Sequence, residues 1–182
     1  MILVAVGTQL PFDRLVQAVD EWAERAGRTD VVAQIGKSDY RPRAIRTFQF
    51  MDFAEFSKLQ AEADFLIGHA GIGSILTALQ LSKPIVIMPR DHHRGEHRDG
   101  HQFATAKSFT GTPGIYVAAD EAELVSRLDN LNDLSSVPPI SDKASDELIE
   151  KLREFVEVVP ARRSLLDRLL GRLGVGRGAN GR

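Results

Sequence analysis

The chain contains no cysteine among its 182 residues, which excludes a disulfide framework and a cysteine-based zinc site. It also lacks any stretch approaching the ~20 consecutive apolar residues that a membrane-spanning helix needs. The first residues, MILVAVGTQ, have no basic segment ahead of their short apolar run, so we interpret them as a strand and not as a signal peptide. A hydrophobic content of 43% predicts one sizeable core. Because neither a signal peptide nor a membrane-spanning stretch is predicted, we expect a cytoplasmic protein.

The negative charge of the chain is unevenly distributed. The segment from Pro160 to Arg182 has six arginines and one aspartate, a net charge of +5. Because the whole chain carries −2, residues 1–159 carry −7. An acidic body argues against general nucleic-acid binding by the domain, and a basic tail predicts a separate binding partner. We therefore divide the chain into a domain, residues 1–159, and a tail, residues 160–182.

The tail predicts a basic amphipathic helix over residues 161–175. Its leucines recur at helical spacing, at Leu165, Leu166, Leu169, Leu170 and Leu173, and arginines occupy much of the remaining surface. Helices of this kind lie on anionic membrane surfaces or dock in the groove of a partner. An ordinary C-terminal helix packed on its own domain is the alternative. The final residues, GRGANGR, have the composition of a disordered segment.

Apolar runs alternate with amphipathic segments, which is typical of a doubly wound parallel α/β sheet. The predicted strands are residues 2–6, 31–35, 45–50, 65–67, 85–88 and 115–117. The predicted helices are residues 11–26, 53–63, 73–81, 100–108, 120–131 and 141–158. Asp120 with Glu123 forms a capping-box pattern. The second helix carries an apolar stripe made of Phe53, Phe56 and Leu59. We therefore expect one Rossmann-like domain.

Two glycine-rich turns follow predicted strands and belong at the same edge of the sheet, where ligands of such sheets bind. Gly7-Thr8-Gln9 follows the first strand, and residues 68–74 (GHAGIGS) follow the fourth strand and open a helix. Free N–H groups and the helix dipole suit such turns to anions, and Ser74 adds a hydroxyl. The spacing matches neither the P-loop nor the dinucleotide-binding pattern. A tight turn that only packs helix on sheet is the alternative.

A polar loop, residues 90–102, contains four of the five histidines. Three histidines spaced by four residues (His93, His97 and His101) could bind a metal from one helix face, but glycines interrupt that spacing, and we expect no metal. A surface loop with incidental charges is a second alternative. We favour recognition of anions and hydroxyls, with the loop arginines for phosphate or carboxylate and Gln102 for sugar hydroxyls.

These motifs together resemble a known family. Gly7-Thr8-Gln9 with Phe12-Asp13, the GHAGIGS turn, Lys83-Pro84, Pro89-Arg90 and His101-Gln102 are similar to the donor-binding half of glycosyltransferase family 28. That family has the GT-B fold, of which this chain would be one half, and includes the MurG-type UDP-GlcNAc transferases. Its split members place the nucleotide-sugar domain on a separate chain, as in eukaryotic lipid-linked oligosaccharide synthesis. HAGIGSILTAL, KPIVIMPR and GEHRDGHQ most resemble the PssE-type exopolysaccharide glucuronosyltransferases.

The resemblance implies a place for the donor diphosphate. Gly71, Gly73 and Ser74 would hold the two phosphates of a UDP-sugar, and Gly7 and Thr8 would line the same cleft. Thr77 stands where the MurG-type enzymes carry a glutamate for the ribose hydroxyls, and threonine can bond one hydroxyl but not clamp two.

The donor sugar and the catalytic base would lie beside the diphosphate. The resemblance places His101 and Gln102 at the sugar. Because a glucuronic acid donor carries a carboxylate, we hypothesise that Arg94 or Arg98 selects UDP-glucuronate; stabilisation of the leaving UDP by these arginines is the alternative. Inversion needs a base for the acceptor hydroxyl, and His69 is a tentative candidate. A structural role for this histidine is the alternative, and a partner chain could supply the base.

The leading expectation is the donor-binding, catalytic subunit of a two-component inverting glycosyltransferase without a cofactor or bound metal. It would move a sugar from a UDP-sugar to a polyprenyl-diphosphate-linked saccharide during exopolysaccharide assembly. The resemblance implies a membrane-anchored PssD-type partner for the acceptor, and the protein would sit at the inner membrane face through that partner or the tail. The alternatives are a UDP-GlcNAc transferase subunit and a non-catalytic nucleotide-sugar-binding regulatory subunit.

Overall fold

A computed structural model describes residues 1–135. The six strands are β1 (Ile2–Ala5), β2 (Val31–Gln34), β3 (Arg46–Phe48), β4 (Phe65–His69), β5 (Ile85–Met88) and β6 (Ile115–Val117). The helices are α1 (Asp13–Arg25), α2 (Phe53–Glu62), α3 (Ile72–Gln80), α4 (His101–Ser108) and α5 (Glu121–Asp129), with short 3₁₀ turns at His92–Arg94 and Leu131–Asp133. The predicted helix over residues 141–158, the tail helix and the boundary at residue 160 lie outside the described residues.

All six strands form one parallel sheet in the order β3-β2-β1-β4-β5-β6, which confirms the predicted α/β class. The chain builds outward from β1 to one edge and then returns to β4 on its other side. The strand order therefore reverses between β1 and β4. In open sheets of this kind the crevice outside the carboxyl ends of the strands at the reversal point holds the ligand.

The two faces of the sheet bury separate cores. Ile2 and Val4 point to the face covered by α1 and α5, whereas Leu3 points to the face covered by α2, α3 and α4. All three residues are at most 1% exposed, since a parallel sheet with helices on both sides needs strands that are apolar throughout. Each such fully buried side chain contributes about 1.5–3 kcal/mol to folding.

Helix capping follows the sequence in part. Asp120 caps α5 by accepting from the Glu123 N–H at 2.9 Å, as predicted. The return bond goes one residue further back than in the standard capping box, because Glu123 Oε2 accepts from Ala119 N at 2.9 Å. The first helix begins later than residue 11: Phe12 is the N-cap residue of α1, without a side-chain cap.

Four strands differ in their bounds from the sequence prediction: β1 and β2 each end one residue earlier, and the differences in β4 and β3 are larger. The fourth strand continues to His69, which pairs with Met88 of β5, so this histidine ends a strand and does not belong to the turn. The third strand, Arg46–Phe48, is shorter than residues 45–50, and directly ahead of it the Ile45 N–H donates to buried Asp20. Asp20 accepts from the N–H groups of Arg43, Ala44 and Ile45 and from the Tyr40 hydroxyl. None of the helices in residues 1–135 combines the length and apolarity needed to cross a bilayer.

Candidate functional site: a cleft between two glycine turns

A cleft of about 740 Å³ opens at the carboxyl ends of β1 and β4. It is lined by the turn after β1, by the turn that opens α3, by the start of α2 and by the loop between β5 and α4. The predicted site residues that line it are Gly7, Thr8, His69, Gly71, Gly73, Ser74, Thr77, Arg98, His101 and Gln102. The strand order explains this meeting, because β1 and β4 are neighbours at the point where the sheet reverses.

The turn after β1 presents unbonded main-chain N–H groups. Gly7 adopts a φ of 82°, the left-handed region that favours glycine. Within residues 1–135, the N–H groups of Gly7, Thr8 and Gln9 have no hydrogen-bond acceptor. Consecutive free N–H groups at a concave surface form a binding site for anions.

Arg90 anchors this turn from below. Its side chain is 3% exposed, and it donates to the carbonyl oxygens of Leu10 and Pro11, both at 2.7 Å, and also to that of Val6. A fourth bond goes to the Glu96 carbonyl at 3.0 Å. Arg90 was predicted among the loop arginines for a ligand anion, but its donors are used within the fold. Burial lowers the pKa of Arg90 to about 10, so the guanidinium remains charged at neutral pH.

Arg14 of α1 forms hydrogen bonds to the segment that follows β5. Its Nε donates to Glu96 at 2.6 Å, and its NH2 group donates to the Pro89 carbonyl at 2.7 Å. The guanidinium groups of Arg14 and Arg90 lie 5.0 and 4.8 Å from the centre of the Phe12 ring. Sequence reasoning missed the pair of Arg14 and Glu96, because the two residues are 82 positions apart in the chain.

The second turn opens α3, and two of its glycines differ in their surroundings. Gly71 is the N-cap residue of α3, with extended backbone angles. A Cβ added at Gly73 would meet nothing within 4 Å, so this position is open toward the cleft. Thr77 lies one turn further on and donates its hydroxyl to the Gly73 carbonyl at 2.9 Å. A ribose hydroxyl at Thr77 would therefore have to donate to the threonine oxygen.

His69 lies between the two turns. Its ring is partly buried, and its Nδ1 atom has no hydrogen-bond partner within the described residues. Desolvation by burial lowers the pKa of His69 to about 4, and the positive charge of Arg90 adds to this effect. The imidazole is therefore neutral at physiological pH. A group with so low a pKa is a weak proton acceptor, which disfavours the tentative role of His69 as the general base.

The residues of the loop after β5 that were predicted to contact the donor sugar do not all line the cleft. Gln102 is 2% exposed and accepts from the Arg90 N–H at 3.1 Å, so the buried side chain positions the loop as well as lining the cleft. Arg98 is exposed at the cleft and makes no ion pair within residues 1–135. Arg94, in contrast, lies outside the cleft lining, where it pairs with Glu121 at 3.3 Å. Its contact with the sugar stays a prediction, which the ion pair with Glu121 does not favour.

The loop histidines are grouped differently from the spacing-by-four pattern. His93 lies with Asp91 and His92, and His97 lies with Asp99 and His101, each set with its potential ligand atoms within 4.8 Å of one another. The glycine at position 95, with a φ of 73°, turns the chain between the two sets. The helix face that would unite His93, His97 and His101 therefore does not form.

The apolar stripe of α2 is only partly internal. Phe56 and Leu59 pack against the core, but Phe53 is 87% exposed and lines the mouth of the cleft. Phe53 is the first residue of α2, directly after the Asp52 cap, where the helix has not yet reached the sheet. The helical period alone does not distinguish this position from the two that are packed.

The chain is similar to named glycosyltransferase proteins. It is 33% identical over 119 residues to the mouse UDP-N-acetylglucosamine transferase subunit ALG13, which covers 55% of this chain and 10% of that protein. For the human protein of the same name the values are 30% over 142 residues, 62% and 12%. The chain thus spans about a tenth of the length of these relatives.

Solved structures show the same fold. An NMR solution structure of ALG13 superimposes with a TM-score of 0.56 at 20% identity, covering 83% of this chain and 93% of that one. The crystal structure of Acinetobacter baumannii MurG gives a TM-score of 0.50 at 16% identity, covering 71% and 40%. The single parallel sheet is therefore one half of a GT-B-like architecture. Residues 1–158 match the glycosyltransferase family 28 C-terminal domain. This chain belongs to that glycosyltransferase family.

Proposed function

We propose that this chain is the donor-binding subunit of a two-chain glycosyltransferase that uses a UDP-sugar. One observation carries the proposal: in a family 28 domain, two glycine turns from neighbouring strands face one cleft at the reversal point of the sheet. The free N–H groups after β1 and the N-terminus of α3 would take the diphosphate. The two turns follow paired neighbouring strands, so both can reach one ligand at this edge of the sheet.

Electrostatics support an anionic ligand at this site. Arg90 carries a buried positive charge at the cleft, and the carboxylate of Glu96 nearby is already engaged by Arg14. Arg98 adds an exposed guanidinium to the same lining. In a partly desolvated cleft these charges act through a lower dielectric than water and would attract a diphosphate.

The donor sugar has two candidates. The ALG13 relatives are named UDP-N-acetylglucosamine transferase subunits, which favours UDP-GlcNAc. The guanidinium of Arg98, exposed and unpaired within residues 1–135, favours UDP-glucuronate, because it could make a charge-assisted bond to the carboxylate that only the second sugar carries. A charge-assisted bond of this kind is worth about 1.5–3 kcal/mol, or roughly a 10- to 150-fold preference.

We propose that the acceptor half comes from another chain, because the ALG13 relatives are named as subunits of a transferase. We propose a membrane-anchored partner of the PssD type and a polyprenyl-diphosphate-linked acceptor, with exopolysaccharide as the product. The basic tail would keep the domain near the inner membrane face. Removal of residues 161–182 should then shift the protein from the membrane fraction to the supernatant, and unchanged fractionation would reject this role.

Titration calorimetry of the full chain tests the donor proposal directly. UDP should bind and ADP should not; absence of UDP binding would reject the nucleotide-sugar site. UDP-GlcNAc and UDP-glucuronate are then compared on the wild type, on Arg98→Ala and on the charge-conserving control Arg98→Lys. A preference for UDP-glucuronate that survives in Arg98→Ala would exclude Arg98 as its cause.

Transfer of radiolabelled sugar to membrane lipid, measured with and without this chain, separates an enzyme subunit from a regulatory one. If the chain is an enzyme subunit, lipid labelling should require the chain and should be lost in variants that no longer bind UDP. Binding of UDP without any effect on labelling would favour the non-catalytic alternative.

A further inference from the structure

The ring of His69 fills the space between the two glycine turns. A Cβ built on Gly71 would lie 2.4 Å from His69 Nε2, closer than real side-chain atoms approach one another. A Cβ built on Gly7 would lie 3.0 Å from His69 Cε1. One side chain at the end of β4 therefore contacts both walls of the cleft.

The backbone of Gly71 does not itself require glycine. Its φ of −94° and ψ of 130° are open to any residue, and the three atoms nearest to a Cβ at this position all belong to the His69 ring. Gly7 differs, because its φ of 82° strains any other residue whatever the neighbouring ring does. A side chain at position 71 is therefore hindered by the His69 ring, whereas a side chain at position 7 is strained by the backbone as well.

We infer that His69 is a positioning residue: its neutral ring is a spacer that sets the separation of the two turns. The proton chemistry of the ring is not needed for this role. Among residues 1–135 the Nδ1 atom has no hydrogen-bond partner, which agrees with a ring held by packing. The consequence for ligand binding rests on the proposed function, since the spacing would determine whether both turns reach one diphosphate. The close contact between the His69 ring and the position of Gly71, called the interlock below, is a property of the fold.

A double-mutant cycle on His69 and Gly71 tests the interlock by thermal unfolding. Gly71→Ala alone forces the ring to move and should lower Tm by about 3–10 °C. In the His69→Ala background the same substitution should change Tm by less than about 2 °C, since the obstacle is gone. Gly7→Ala is the control: it should stay destabilising in both backgrounds. Equal losses for Gly71→Ala with and without His69 would overturn the inference.

The ligand consequence is measured with UDP by calorimetry. His69→Ala should weaken UDP binding about fivefold or more, as the turns lose their spacer. His69→Leu restores most of the volume without either ring nitrogen and should recover most of that loss. Failure of His69→Leu to recover more affinity than His69→Ala would assign the effect to the imidazole nitrogens and overturn the spacer role.

The two readouts separate failure of this inference from failure of the proposed function. If the wild type does not bind UDP, the Tm cycle still decides whether His69 and Gly71 interlock. If His69→Ala does not fold, His69→Ser takes its place in the cycle. If the single variant Gly71→Ala does not fold, the double variant with His69→Ala or His69→Ser decides. Folding of the double variant supports the contact between His69 and position 71, and its failure to fold counts against it.

Discussion

Acidification should destabilise this protein through His69 before its carboxylates are protonated. The folded pKa of His69 is about 4, against 6.5 for the unfolded side chain, because burial and the nearby charge of Arg90 disfavour the imidazolium. Below pH 6.5 the unfolded chain binds a proton that the folded chain does not. The stabilisation is therefore complete above pH 6.5 and is lost as the pH falls toward 4.

The size of the effect follows from the two pKa values. A change from 6.5 to about 4 corresponds to about 3 kcal/mol of unfolding free energy, with a slope approaching 1.4 kcal/mol per pH unit inside the window. Three carboxylates also have lowered pKa values: Asp30 and Asp64 through hydrogen bonds to Arg28 and the N-terminus, and Asp99 through the His101 N–H. Their contribution is lost only as the pH falls through values below 3.8, outside this window.

Urea unfolding between pH 4.5 and 7.5 measures the effect, with His69→Leu as the control that cannot titrate. The difference in unfolding free energy between the wild type and His69→Leu should shift by about 2–3 kcal/mol across this range, against the wild type at low pH. Parallel curves for the two proteins would refute the reasoning. An imidazole signal of folded His69 that titrates near 6.5 would refute it independently.

Three other substitutions give separate outcomes. Gly73→Ala meets no atom within 4 Å, so Tm should hold or rise slightly while UDP affinity falls about tenfold, as calorimetry would show; unchanged affinity would remove Gly73 from the diphosphate site. Asp20→Ala leaves three N–H groups and the Tyr40 hydroxyl without their acceptor and should cost about 3–5 kcal/mol in urea unfolding, more than Asp20→Asn. Arg90→Lys keeps the charge but not the fork that reaches four carbonyls, and should cost about 2–4 kcal/mol; a loss below 1 kcal/mol would contradict its anchoring role.

The sequence was sufficient for the elements that depend on local pattern. The fully buried strand β5 is a continuous apolar run, and it was predicted with the bounds that the structure has, as was the partly buried edge strand β6. The two glycine turns were expected at one sheet edge because parallel strands present their carboxyl ends together. Each strand and each turn could be predicted by itself from residues within a few positions of one another.

The roles of individual side chains depended on distant partners that no local pattern contains. Arg90 and Arg94 are four positions apart, yet one is buried against main-chain carbonyls near β1 and the other pairs with Glu121 on α5. Sequence reasoning grouped them as anion readers by residue type. His69 was considered for proton chemistry, and only the surrounding atoms reveal its desolvation. Asp20 gave no signal at all, since its partners follow it by 20 or more positions.

The reversal of strand order also determines when the cleft can exist during folding. Gly7 and Gly71 are 64 positions apart, so the two walls meet only after β1 and β4 have paired across a long closed loop. A ligand that bridges both turns would therefore recognise the native state and no partly folded one. At a concentration 100 times its Kd it would raise the free energy of unfolding by about 2.7 kcal/mol. The abundance of such a ligand would then influence how long the folded domain survives in the cell.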